Sequence, residues 1–207
     1  VDVMGLLGDV RNEQGLWTRF KATPVASSSP SVIPLGSSGF SAQLAGLLGL
    51  PFGFAHHFDM GGTVEAVEIY RDSFRPSPIL DEPYAIVTAS TIAAETTEHA
   101  NWLAGPALLR RYGLRTGRIG PMLSPEAAIE HPAFAAASAM TLTSLVGDTA
   151  PVVAGMHALF DLPGAHDLLS STPTYAHDNR HTNLGPPPTV LTCTHPRVPT
   201  HLHRPTS

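Results

Sequence analysis

The sequence predicts an α/β protein whose parallel strands line either a sheet covered on both faces or a barrel wall. Three observations lead there. Short apolar runs at Val32–Leu35, Phe52–Ala55 and Tyr84–Ala93 alternate with segments of helical periodicity, which is the order of βα units. The runs are mainly apolar or β-branched and do not alternate strictly with polar residues, as strands buried on both faces do not. At 207 residues and 43% hydrophobic content, the chain is long enough to bury a real core.

The first thirty residues carry little pattern: Val3, Leu6 and Leu7 suggest a short helix, and Ala26-Ser27-Ser28-Ser29-Pro30 reads as a loop. Residues 1–30 are therefore an irregular N-terminal segment. After the run Val32–Leu35 and the turn Gly36-Ser37-Ser38-Gly39, the residues Phe40, Leu44, Leu47 and Leu48 recur at helical spacing, and Gly49 stands where a helix ends. The run Phe52–Ala55 leads into His56-His57-Phe58. A helical stripe of Val64, Val67, Tyr70 and Phe74 follows, then the strand candidate Tyr84–Ala93, then a helix from about Glu95 that includes Trp102 and Leu103. Residues 105–145, rich in Gly, Pro and Ala, predict a long insertion with short helices at most. Asp148 suits a helix N-cap before Val152, Met156, Leu159 and Phe160, and Asp167–Thr172 is a last strand candidate. The βα units thus occupy residues 31–183. Residues 184–207 form a Pro-rich tail; from Gly185 onward it holds six prolines and no acidic residue, and disorder is expected there.

Composition narrows the function. The formal charge is −5 and 14% of residues are charged, without the basic stripe of a nucleic-acid binder. The single cysteine, Cys193, excludes an intramolecular disulfide framework and a multi-cysteine zinc site. No run reaches the roughly 18 apolar residues of a membrane span, and Val1-Asp2-Val3-Met4 shows no signal-peptide pattern. A cytoplasmic protein is expected.

The segment richest in chemistry is Leu35-Gly36-Ser37-Ser38-Gly39-Phe40-Ser41. A glycine-serine turn between a strand and a helix offers backbone N–H groups and hydroxyls at the positive end of a helix dipole, which suits a phosphate. The same segment also reads as an ordinary N-capped turn, since its spacing matches neither GxGxxG nor GxxxxGK[ST] nor GxSxG. His56 and His57 end a predicted strand. There an imidazole can contact a ring cofactor or move a proton near pH 7, or one ring can pack while the other faces water. His177 and His181 lack the glutamate of HExxH, and Cys193-Thr194-His195 and His201-Leu202-His203 lack a scaffold, so no metal site is expected. Asp81, Glu82, Glu95 and Glu98 read as solvated turn and helix-start residues.

From Leu35 to Ala45, and on through Gly49-Leu50-Pro51-Phe52 to Ala55-His56-His57-Phe58, the sequence resembles the bacterial luciferase-like, flavin-dependent monooxygenases. The resemblance continues in Tyr70-Arg71, Phe74-Arg75-Pro76-Ser77, Asp81-Glu82-Pro83-Tyr84, Ala94-Glu95-Thr96, Trp102–Pro106, Leu114–Gly117, Val146-Gly147-Asp148 and Leu168–His177. These motifs match the family's C-terminal half. The resemblance implies a TIM-barrel-type fold of which this chain holds the second half. It implies reduced FMN delivered by a flavin reductase, or a deazaflavin in some relatives, and molecular oxygen acting on a small organic substrate. It places the flavin phosphate on Ser37, Ser38 and Ser41, with Gly36 and Gly39 shaping the turn, and the flavin ring beside His56 with His57 as neighbour. A missing first half leaves sheet edges open and an apolar interior uncovered, so a homo- or heterodimer is expected. A non-catalytic flavin-binding protein or partner subunit is the alternative. The change at His181 resembles a truncated or frame-shifted coding region.

Overall fold

The computed structural model describes residues 2–8, 14–24, 30–58, 62–140 and 143–179. The expectations for the tail, for His181 and for Cys193 lie outside them. Helix α1 (Asp2–Leu6) and a 3-10 turn at Leu16–Thr18 precede the first strand. The order then runs β1 (Leu35–Gly36), α2 (Gly39–Leu47), β2 (Phe52–Ala55), α3 (Thr63–Ser73), β3 (Ala85–Ala93), α4 (Thr97–Thr116), α5 (Pro125–Ile129), α6 (Phe134–Ser138), β4 (Leu145–Gly147), α7 (Thr149–Phe160) and β5 (Ala165–Ser171).

Every strand pairing is parallel. Residues Ala85–Thr88 of β3 pair with both β2 and β5, so those two strands lie on opposite sides of β3. The sheet therefore runs β1-β2-β3-β5 in chain order. Short β4 joins only the C-terminal end of β3, at Thr91–Ala93. An order without reversal is that of a singly wound barrel wall, not of an open sheet with a switch point.

One face of this wall is dry. Phe52 and Phe54 of β2 and Ala85 of β3 pack under Ala42 and Ala45 of α2 and Ala66, Val67 and Tyr70 of α3, all buried. Each phenylalanine contributes about 1.5–3 kcal/mol by leaving water. Small residues set the spacing: a Cβ on Gly46 would stand 2.7 Å from the Tyr70 carbonyl oxygen. Further along, Val87 and Ala89 pack with Leu159 of α7. The opposite face carries Ile33, Leu35, Gly53, Ala55, Ile86, Thr88 and Leu169. Gly53 pairs with Leu35 and Ile86, and Thr88 pairs with Ala55 and Leu169, so these residues form rows across the strands.

Three expectations need correction. Residues 105–116 are helical, because α4 continues through Pro106 to Gly117, whose left-handed backbone (φ 71°) ends it. Gly105 and Pro106 read as breakers, yet both are buried. A Cβ on Gly105 would reach the Phe134 ring at 3.4 Å and Ala128 at 3.7 Å, ordinary contact distances, so α5 and α6 pack directly over this part of α4. The stripe on α2 is also not a core face. The helix buries Ala42, Ala45 and Gly46 and presents Phe40, Leu44 and Leu47 outward. Strand β1 is confined to Leu35–Gly36, so of the run Val32–Leu35 only its last residue is in a strand; other elements lie close to their expected places. Strand β3 starts one residue after Tyr84, Asp148 caps α7 by accepting from Ala150 N–H at 3.1 Å, and Gly49 (φ 62°) closes α2. Asp81, Glu82, Glu95 and Glu98 are exposed.

Candidate functional site

Chain direction and sheet order bring the predicted residues to one end. Ser37 to Ser41 follow the C-terminal end of β1, and His56 and His57 follow that of the neighbouring β2, whose pairing ends at Gly36 with Phe54. In a parallel barrel wall this end carries the chemistry, because the connecting loops converge there.

The turn before α2 is open at the helix N-terminus. Ser38 occupies the N-cap in extended conformation (φ −141°, ψ 157°), but its side chain does not cap the helix. Its hydroxyl is exposed, 3.4 Å from the Ser41 hydroxyl. Ser41 donates instead to the Ser38 carbonyl oxygen at 2.8 Å. The first-turn N–H groups therefore keep their donor capacity beside two hydroxyls at the positive end of a helix. Ser37 is exposed as well. The glycines have internal reasons. A Cβ on Gly36 would collide with the Ser41 side chain, and one on Gly39 would stand 2.9 Å from Ile69 Cδ1. They make room for the chain's own side chains, which leaves the serine hydroxyls exposed at the helix N-terminus.

The two histidines separate. A 3-10 turn over His56–Phe58 sends His56 Nδ1 to Thr63 Oγ1 at 2.8 Å, at the start of α3. His57 Nδ1 instead meets Thr88 Oγ1 at 3.1 Å, on the inner row of the sheet, and its ring lies 4.4 Å from that of Phe58. Burial holds His57 below the ordinary imidazole pKa; the contact with Thr88 opposes this and the Arg111 charge adds to it. His57 is thus neutral at pH 7, with Nε2 available to accept or donate.

Two residues that the sequence did not signal hold His57 in place. Arg111 of α4 donates to the His57 carbonyl oxygen at 3.2 Å, and Thr143 donates to the same oxygen at 3.0 Å. Arg111 also donates to Thr143 Oγ1 at 3.2 Å. Arg111 fell in the stretch read as an irregular insertion, and a lone threonine before β4 carries no sequence signal. Thr172, just past β5, has a buried hydroxyl with no hydrogen-bond partner among the described residues.

No protein-family model matches the chain. Relatives among curated sequences do. The protein named YvbT of Bacillus subtilis (strain 168), itself uncharacterized, is 38% identical over 177 residues, covering 84% of this chain and 51% of that protein. The protein named luciferase-like monooxygenase of Escherichia coli (strain K12) is 34% identical over 151 residues, covering 70% of this chain and 45% of that protein. The chain is a relative of the luciferase-like monooxygenases. It spans about half the length of the curated relatives it matches. Among solved structures, apo-MsnO8 superposes with a TM-score of 0.66 at 24% identity, over 78% of this chain and 50% of that one. At that identity the likeness is one of fold. The luciferase-like barrel type is the one this α/β wall belongs to, and its four adjoining strands are half of the eight in a closed barrel. No helix among the described residues is long and apolar enough to cross a membrane.

Proposed function

We propose that this chain forms the phosphate-binding side of a luciferase-like, flavin-dependent monooxygenase. The reaction is oxidation of a small organic substrate by molecular oxygen with reduced FMN, which a separate flavin reductase supplies. The observation that carries the proposal is the uncapped N-terminus of α2, with the Ser37 and Ser38 hydroxyls exposed on it, one strand away from a neutral His57. That donor set fits an anion: hydroxyls and N–H groups at a helix N-terminus favour a phosphate without needing a basic residue.

In this reading Ser37 and Ser38 hold the phosphate by donating hydroxyl hydrogen bonds, and Ser41 braces the turn through the Ser38 carbonyl. His57 is the proton-handling group, fixed by Thr88 and by the Arg111–Thr143 clamp. His56, bound to Thr63, supports the turn. The flavin, when bound, supplies the electrons for oxygen chemistry, and the protein supplies position and electrostatics. The same donors accept the phosphate of a deazaflavin coenzyme. The setting proposed is the cytoplasm.

A second reading is a non-catalytic flavin-binding protein or partner subunit of the same fold, for which anion binding at the serine turn suffices. The test is anaerobic titration with reduced FMN. Ser38→Ala is expected to weaken binding about 5- to 150-fold, the ~1–3 kcal/mol of an unsatisfied polar partner. Unchanged affinity sinks the phosphate assignment. Binding without reductase-coupled oxygen uptake above the flavin background selects the second reading.

A further inference from the structure

We infer that a cavity beside α4, on the face turned away from His57, is a binding site for a small organic acid: a carboxylate carried on an apolar body. The cavity has a volume of about 420 Å³, within the ~300–1,000 Å³ of small-molecule sites. It lies between the second half of α4, the segment 118–123 and the turn between α5 and α6. Its whole lining belongs to residues 106–133, and no strand takes part in it.

Helix α4 divides this cavity from the site described above. Arg111 reaches the His57 carbonyl oxygen at 3.2 Å. Leu109 and Gly113 line the cavity, and at about 100° per residue they stand about 160° around the helix from Arg111. The cavity is therefore separate from the serine turn and the histidines, and a ligand in it owes nothing to flavin binding.

The walls are held at both ends. Gly117 ends α4 in left-handed conformation (φ 71°), and the Arg118 N–H donates to the Gly113 carbonyl oxygen at 2.8 Å. The chain folds back so closely that a Cβ on Gly113 would stand 2.5 Å from the Arg118 carbonyl oxygen. At the far end Ser124 caps α5, accepting from the Ala127 N–H at 3.3 Å. His131, also in the lining, accepts from the Ala133 N–H through Nδ1 at 3.1 Å. The neutral ring thus carries its proton on Nε2, a donor at the cavity wall.

Two chemistries meet in the lining. Leu109, Ile119, Met122 and Leu123 give it an apolar side, and Ile119 is 64% exposed. Arg110 and Arg118 bring positive charge, and among the described residues no Asp or Glu lines the cavity. The surrounding chain has the same bias: between Glu98 and Glu126 it holds four arginines and no acidic residue, although its formal charge is −5. A bare inorganic anion would leave the apolar side in water. A hydrocarbon would strip water from two guanidinium groups and return no hydrogen bond. A carboxylate on an aromatic or alkyl body satisfies both, with charge-assisted hydrogen bonds at one end and burial at the other.

NMR titration of the full chain, labelled at its methionine methyls, tests this with phenylbutyrate. Phenylbutanol serves as the uncharged analogue and acetate as the headgroup alone. The Met122 signal, assigned with Met122→Leu, should shift saturably with phenylbutyrate at a Kd of about 1 mM or tighter. Phenylbutanol and acetate should each bind at least about 5-fold more weakly. Arg110→Gln and Arg118→Gln should each weaken phenylbutyrate about 5-fold, the upper end for an exposed ion pair. Far-UV circular dichroism should not change, because both arginines are exposed. A Met122 signal that does not move, a shift that does not saturate, phenylbutanol or acetate binding as tightly as phenylbutyrate, or an affinity indifferent to both arginines overturns the proposal. All titrations are run without flavin, so failure here is distinguishable from failure of the phosphate assignment.

Discussion

Replacing Tyr70 with phenylalanine removes one oxygen from the packed side of the wall and leaves the ring. Tyr70 is fully buried, with its ring 5.4 Å from that of Phe52 and 5.9 Å from that of Phe74. Those contacts survive the substitution. Its hydroxyl donates to the Leu50 carbonyl oxygen at 2.9 Å and accepts from the Tyr84 N–H at 2.9 Å, with the Tyr84 carbonyl oxygen 3.3 Å away. It ties the start of β2 to the start of β3 through α3. In Tyr70→Phe the Tyr84 N–H and the Leu50 carbonyl lose their partner. At ~1–3 kcal/mol for each stranded group, and with Tyr84 only half-buried, the loss is about 2–4 kcal/mol. For a chain of this size that lowers Tm by about 4–16 °C. Burial pushes the phenol up to about 12, against the contact with Tyr84, so the hydroxyl stays protonated and the loss should be the same at pH 6 and pH 9. Urea unfolding at both pH values, with an unchanged slope, is the assay. A loss below about 0.5 kcal/mol would refute the claim that this hydroxyl joins the strands.

Two further predictions concern the imidazoles and their clamp. Burial lowers the pKa of His57, and of His166 beside Arg71. The unfolded chain therefore takes up protons first as pH falls through about 6.5, and stability should drop below that pH and level off once the folded rings protonate. His57→Gln with His166→Gln should flatten this acid-side slope in urea midpoints between pH 7.5 and 5.5, and a slope that persists unchanged refutes it. Arg111→Ala removes a positive charge beside His57, so the His57 midpoint should rise while burial keeps it below the ordinary value. Histidine titration by NMR reads this, and a fall in the midpoint would count against the clamp.

Much of the fold was legible because its signals are local. Apolar runs of strand length, Asp148 as an N-cap and Gly49 at a left-handed C-terminus each follow from a few residues. The boundary of α4 was not, because Gly105 and Pro106 look like breakers until α5 and α6 are packed against them. Periodicity also found the α2 stripe but could not say what covers it: Ala42, Ala45 and Gly46 take the core side since only small residues let α2 lie on α3. At the site, the serine turn and the histidine pair were visible as residue types at strand ends. Arg111 and Thr143 were not, for they reach His57 from 54 and 86 residues away, and nothing in their own neighbourhoods marks them.

The division of labour within this half wall follows from where each group is anchored. The serine turn depends on β1 and α2, and its bracing hydrogen bond is internal to the four residues Ser38–Ser41. His57 depends on β2, β3 and the α4 segment, which meet at its carbonyl and its ring. Both sets of contacts are complete within one chain, so the exposed serine turn and the held imidazole stand at the same end of neighbouring strands, each fixed by its own local anchors.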